Sequence, residues 1–392
     1  MPQELDQCTR CALHYAARMA SRIAIIAERF GGVGGGERFV QEVTERLADT
    51  GEYEFHVFAN RWSCSRSDIT FHRVGRVKFP RFLRRWSYAA LADRQLRRGQ
   101  YDLVHAYWPA LRADVISCHG GPHRYWVRHV LKRIPNLSDR VAMWMERRML
   151  NRNRGASFLP VSRFVMERFA EVHGALPGEW TIVSPGVDSE LFARTSHSRA
   201  EVRAQHGLPS TARVVLFVGM NFETKGLDLL LEGLAECRRS HPTLDARLLV
   251  VGRGNESSYR RRAALLGIDG AVTFAGSQSV GIERYYSAAD ALALLSQFET
   301  FGMVALEAMA AGLPVIVSDQ CGCRDVVQSH GGSVVPIGAS AEAVSSALCA
   351  ALTDDQQLLD RLAAAMRDQC DWGHAAELTA GVYHQILSRQ LS

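Results

Sequence analysis

Short runs of β-branched and aliphatic residues alternate with helical stretches along nearly the whole chain, and this alternation constrains its fold more than any other feature. Strand, helix, strand in succession predicts parallel pairing with helical crossovers. A first series places strands near residues 22–27, 54–59, 69–74, 101–107, 113–118, 156–161 and 180–184, with helices at 37–49, 82–99, 138–153 and 162–173. The pattern lapses over Ala-Arg-Thr-Ser-His-Ser-Arg-Ala at 193–200, the expected domain boundary. A second series follows, with strands at 213–218, 246–251, 271–274, 291–295, 314–317 and 333–336. Its helices fall at 226–240, 255–266, 280–289, 303–311 and 341–353, and two more, 356–369 and 374–389, end the chain. At 392 residues the chain suits two domains better than one core. The expected fold class is therefore α/β, two doubly wound Rossmann-like domains facing a central cleft.

Charge is unevenly spread. Arg61 to Arg154 holds 21 Lys and Arg against six Asp and Glu, a local excess of +15 in a chain whose net charge is +5. Aromatic residues are interleaved with the cations, as in Phe79-Pro-Arg-Phe-Leu-Arg-Arg-Trp86 and Arg124-Tyr-Trp-Val-Arg128. Such segments suit an anionic membrane surface, where each cation contributes on the order of 1 kcal/mol. Nucleic acid would favour the same charge, but no nucleic-acid motif accompanies it, and a solvated, acid-paired surface is the plainer alternative. No apolar run is long enough to span a bilayer.

Nine scattered cysteines predict reduced thiols and a cytoplasmic setting. Cys8-x-x-Cys11 and Cys321-x-Cys323 have no histidine at ligand spacing, so no metal site is expected there. Residues 1–18 lack the basic start and apolar core of a signal peptide. They are expected to be a loose tail or to precede a true start at Met19.

Glu299-Thr-Phe-Gly-Met-Val-Ala-Leu-Glu307 is the most informative local motif. It follows the strand-like Ala291–Leu295 and runs into a helix, which puts Glu299 in the loop and Glu307 in the first helical turns. In an open parallel sheet that loop lies where ligands bind, and the helix start favours phosphate. A carboxylate one or two turns in can accept both hydroxyls of a ribose diol. An amphipathic helix with one exposed and one capping Glu is the alternative.

His119, Lys225 and the Glu299/Glu307 pair are expected to bring polar groups from three strand ends to one cleft, with further candidates beside them. Gly31-Gly-Val-Gly-Gly-Gly36-Glu37 opens the first helix, with glycines that admit close backbone approach, but it lacks the dinucleotide spacing. Lys225-Gly226 precedes the first helix of the second series, placed to neutralise a diphosphate. His119-Gly120-Gly121 ends a first-series strand, and Arg253 ends another in the second. Taken singly, each could be an ordinary turn.

Together, Gly35-Gly36-Glu37, Cys118-His119-Gly120, Val183-Ser-Pro-Gly-Val-Asp188, Lys225-Gly226 and Glu299-x7-Glu307 resemble retaining glycosyltransferases of family 4, with the GT-B fold. Within that family the chain is most similar to bacterial lipopolysaccharide-core glucosyltransferases. The resemblance implies a domain at 19–192 on the acceptor side, a nucleotide-sugar domain at 199–370, and a last helix (371–392) packing back on the first. It implies that Glu307 holds ribose hydroxyls. Glu299, with the Phe301, Gly302, Met303 and Val304 segment, would hold the donor sugar. Lys225 and the Gly35–Gly36 amides would neutralise the diphosphate, and His119 would stand at the reacting face. His119, Glu299 and Lys225 are the implied catalytic group. Many members carry Arg where this chain has Met220, so Arg163 or Arg253 is expected to substitute.

The implied activity is retaining, metal-independent transfer of a sugar, glucose from a UDP-linked donor, to a lipopolysaccharide-core or other glycan or glycolipid acceptor. It would act at the inner face of the cytoplasmic membrane, with no cofactor and no nucleic-acid partner. Two other readings stay open: a nucleotide-sugar epimerase or hydrolase on the same fold, and a non-catalytic nucleotide-sugar or anionic-lipid binding protein.

Overall fold

Strand β1 (Ser21–Ile26) reads Ser-Arg-Ile-Ala-Ile-Ile, and its last four residues are fully buried, as a strand covered by helices on both faces requires. It pairs on one side with β3 (Tyr53–Ala59), which pairs with β5 (Ile69–Arg73). On the other side come β6 (Leu103–Ala106), β7 (Val115–Cys118), β8 (Ser157–Pro160) and β9 (Glu179–Trp180), all parallel. A second all-parallel sheet has the order β12 (Val272–Gly276), β11 (Ala246–Arg253), β10 (Arg213–Met220), β13 (Ala291–Leu294), β14 (Val315–Ser318), β15 (Ser333–Val335). The two-residue strands β2 (Arg29–Phe30) and β4 (Arg61–Trp62) form a small separate ribbon that periodicity does not reveal. The structure, a computed structural model, describes residues 20–391 apart from Val33, 108–109, Ser279, 354–365 and 367–369. The expected tail with Cys8 and Cys11, and nearly all of the helix expected at 356–369, lie outside the described residues.

The structure shortens one expected strand and adds a helix at the expected boundary. The strand expected over 180–184 pairs as β9 for two residues only. Thr181 N donates to Phe158 O at 3.0 Å, but the return bond of a parallel ladder would need an N–H on Pro160, which has none. The polar lapse at 193–200 is the start of a helix, α5 (Ser196–Gln205), whose cap is Thr195 Oγ1 accepting from Ser198 N at 3.1 Å. Its polarity has a use: Arg199 and Arg203 both reach the Asp290 carboxylate at 2.7 Å, and Arg203 is buried.

The halves share one apolar cluster, running from Ile116, Phe158 and Val165 through Phe192 and Val202 to Leu216, Leu294 and Val317. Phe298 of the second half packs, with tilted rings, against Tyr125 and Phe164 of the first. Helix α1 (Gly35–Asp49) buries Phe39, Val40, Val43 and Leu47, each contributing about 1.5–3 kcal/mol by leaving water. The last helix, α12 (Trp372–Leu391), packs on α1 with Trp372 and Tyr383 fully buried. Both sheets thus present strand carboxyl ends to one shared region.

Candidate functional site

Three helices begin at that region without side-chain caps. α1 starts after Gly34, α6 (Leu227–Ser240) after Gly226, and α9 (Met303–Ala310) after Gly302. By contrast Asn136, Ser162, Thr195 and Asn255 cap other helices with their side chains. Uncapped starts leave backbone N–H groups for a ligand, and the helix dipole favours an anionic one. Two of these glycines are required. Gly226 has φ +77°, and a Cβ there would collide with the Leu295 carbonyl; Gly302 has φ +101°. The α1 and α9 starts face each other, since a Cβ on Gly35 would lie 3.0 Å from Met303 Sδ.

Lys225 and Glu299 form an ion pair at the mouths of β10 and β13. The Glu299 loop is fixed by backbone bonds: Glu299 N donates to Gln320 O and Gly322 N to Glu299 O, each at 2.9 Å. Phe301 is buried beneath it, and Ser162 Oγ of the first half donates to Thr300 O at 2.7 Å. Met303 and Val304 form the first turn of α9.

Glu307 sits one turn further along, nearly buried. Tyr286 donates its hydroxyl to Glu307 Oε2 at 2.6 Å, and Arg38 Nη1 of α1 lies 3.6 Å from Oε1. Burial raises the Glu307 carboxyl above its usual range, while the Tyr286 bond and the Arg38 charge oppose that rise. Sequence reading missed both partners. Arg38 directly follows Gly35-Gly36-Glu37, so its place in the first turn of α1 was the available signal; nothing local marks Tyr286.

His119 follows β7 and stands beside Gly36, whose Cβ would lie 3.7 Å from the His119 Cβ. Its ring meets Phe39 edge-on, with centroids 4.5 Å apart, and Tyr107 at 5.4 Å. Nε2 is buried with no protein partner, and burial pushes the imidazole down to about 3, so it is neutral. A pocket of about 310 Å³ opens here, lined by Glu28, Arg29, Gly36, Glu37, Arg84, Tyr107 and His119 among others.

The structure therefore gathers Gly35, Gly36, His119, Lys225, Glu299, Phe301, Gly302, Met303, Val304 and Glu307 around the starts of α1, α6 and α9. Arg163 is exposed and pairs with Asp325 at 3.8 Å, next to Ser162, which bonds the Glu299 loop at Thr300 O. Arg253 is exposed and pairs in register with Met220 on the neighbouring strand, so the two side chains project from the same face of the sheet. Cys321 and Cys323 are both buried.

Two Rossmann-like domains of this kind, facing a cleft of helix starts, a lysine and two carboxylates, define the GT-B class. The chain belongs to the GT-B glycosyltransferases: residues 33–191 match the Glycosyltransferase Family 4 model and residues 198–369 the Glycosyl transferases group 1 model. The D-inositol 3-phosphate glycosyltransferase of Stackebrandtia nassauensis is 27% identical over 410 residues, spanning 92% of this chain and 88% of that protein. Its counterpart in Corynebacterium aurimucosum is 30% identical over 230 residues, so the chain spans about half (55%) of that relative's length. Among solved structures, WaaG, a glycosyltransferase involved in lipopolysaccharide biosynthesis, superposes with a TM-score of 0.76 at 23% identity, covering 92% of this chain and 99% of that one. Anabaena HepE in complex with UDP-glucose gives 0.69 at 18% identity, covering 93% and 99%.

Proposed function

We propose that the chain is a retaining, metal-independent hexosyltransferase that moves glucose from a UDP-linked donor to a lipopolysaccharide-core or related cell-surface glycan. The observation that carries this reading is the convergence of Lys225, Glu299 and Glu307 between the uncapped starts of α1 and α9. The Glu307 carboxylate accepts the two ribose hydroxyls. Lys225 and the helix-start amides at Gly35–Gly36 and Met303–Val304 take the diphosphate, with Arg253 supplying the cation that Met220 does not. Glu299 holds donor-sugar hydroxyls. As the bond from the anomeric carbon to the phosphate oxygen breaks, charge grows on the diphosphate, and preorganised donors stabilise it. The acceptor hydroxyl attacks from the side the diphosphate leaves, its proton passes to the departing phosphate, and configuration is retained. Neutral His119 offers a hydrogen bond at the reacting face without adding charge.

Residues 19–192 form the acceptor side and 199–370 the donor side, with 371–392 returning to the first. The pocket beside His119 receives the acceptor. A membrane-facing surface is supported by exposed Phe79, Trp86, Ile134, Leu137 and Trp144 in the strongly basic segment, with Arg148 stacked 5.4 Å from the Trp144 ring. No helix among the described residues is long and apolar enough to cross a membrane, so contact would be peripheral.

A second acceptor class has its own support. The Stackebrandtia inositol-phosphate relative spans 92% of the chain, and Arg29 and Arg84 line the acceptor pocket, paired there with Glu37 and Glu28, so a small phosphorylated polyol would compete with those carboxylates for them. One experiment addresses both. Thermal shift against a nucleotide-sugar panel identifies the donor, since binding stabilises by mass action. Nucleotide release is then measured with a core glycolipid or a polyol phosphate, with and without EDTA. Release that needs an acceptor and survives EDTA is expected. Acceptor-independent release would reassign the chain as a hydrolase, and binding without release as a non-catalytic binder.

A further inference from the structure

Far from the cleft, three soft or borderline metal ligands meet between two helices of the second half. Cys237 lies in the last turn of α6, His241 is the residue that ends that helix, and Cys349 comes from α11 (Ala341–Thr353), which packs along α6. Cys237 Sγ is 2.9 Å from Cys349 Sγ, and Cys349 Sγ is 3.3 Å from His241 Nδ1. One ligand atom from each residue lies within 4.8 Å of the other two. Four residues separate Cys237 from His241, so a single helical turn brings both to one face. Cys237 is buried, Cys349 half-buried and His241 exposed, which leaves the cluster open on one side.

We propose that Cys237, His241 and Cys349 form a binding site for a thiophilic d10 cation, zinc above all. Two thiolates and an imidazole are the ligands zinc takes, at about 2.3 Å for sulfur and about 2.0 Å for nitrogen. Tetrahedral angles then set the two sulfurs about 3.8 Å apart and sulfur to nitrogen about 3.5 Å. The sulfur–nitrogen separation nearly meets this already. The sulfurs must part by somewhat under 1 Å, which half-buried Cys349 can supply. Each thiol gives its proton to solvent, its sulfur donates an electron pair to the ion, and neutral His241 donates a ring-nitrogen pair. Ser240 Oγ, 3.0 Å from His241 Nδ1, yields that contact to the ion. Water completes the fourth position. The site lies at the end of α6 far from Lys225, about 20 Å along a helix of this length, so it braces the helix that the lysine precedes and does not touch the donor.

The test uses the full chain, reduced and stripped of metal, with zinc and cobalt as probes. Expected are one equivalent of zinc by chelator competition, tetrahedral d–d and thiolate-to-cobalt charge-transfer bands, and a rise in Tm on zinc addition. Cys349→Ser and His241→Gln, both at accessible positions, should fold as the parent does and weaken zinc at least tenfold each, with loss of the charge-transfer band in Cys349→Ser. Zinc binding that persists unchanged in both variants, or reduced parent protein that gives no cobalt bands, overturns the proposal. So does a Cys237–Cys349 disulfide occupying the site in freshly isolated protein.

Discussion

Arg38 Nη1 stands 3.6 Å from Glu307 Oε1, so a charge from the first helix of one half rests on the carboxylate that serves the other. Burial raises the Glu307 carboxyl and Arg38 opposes that rise. Removing Arg38 lets the carboxyl protonate at higher pH, where it can no longer accept both ribose hydroxyls. Arg38→Met is expected to move the acid limb of donor binding upward in pH. Donor Kd measured as a function of pH decides this; an unmoved limb means that Arg38 does not tune Glu307.

His119 bears on acid stability. The folded chain keeps it neutral down to about pH 3, while the unfolded chain protonates it near 6.5. Its contribution is fully present above pH 6.5 and is lost as pH falls towards 3, at up to about 1.4 kcal/mol per pH unit. Buried His105, held between Tyr383 and Ser117, acts in the same direction. His119→Gln should flatten the fall in urea midpoint between pH 6.5 and 3. An equal slope in parent and variant rejects the burial argument.

Gly226→Ala should destabilise the chain by about 2 kcal/mol or more, because the left-handed backbone and the Leu295 carbonyl both oppose a Cβ. Gly207 also has positive φ, +63°, but nothing within 4 Å of its Cβ, so Gly207→Ala should cost only about 1 kcal/mol. Denaturant midpoints of the two variants should differ accordingly; equal losses would mean that the close approach at Leu295 is unimportant.

Much of this was legible along the chain, for a physical reason. Buried parallel strands such as Leu248–Val251 read as continuous apolar runs, and Lys225-Gly226 and Glu299-x7-Glu307 each occupy one strand–loop–helix unit, so local pattern places them. Arg38 and Tyr286 meet Glu307 only through tertiary packing, which no spacing encodes. Cys237 and Cys349 are likewise brought together by two helices whose order in space is set by the sheet. Helix α5 was hidden because its face is polar: Arg199 and Arg203 spend their charge on Asp290 and nearby carbonyls, where periodicity looks for apolar side chains.

The basic, aromatic face makes a separable claim. Trp86→Ala with Trp144→Ala should weaken binding to phosphatidylglycerol-containing vesicles about tenfold while sparing turnover on a soluble acceptor. Co-sedimentation with and without the anionic lipid reads this out. Equal binding to neutral vesicles, or no loss in the double variant, removes the membrane from the account.

The most direct test is calorimetric titration of the nucleoside diphosphate that best stabilises the chain into the parent, Lys225→Ala and Glu307→Gln. Each variant deletes a charge-assisted contact worth about 1.5–3 kcal/mol, so each should bind about 10- to 100-fold more weakly with its fold intact. Parent-like affinity in both variants would contradict a cleft that holds its donor by diphosphate and ribose together.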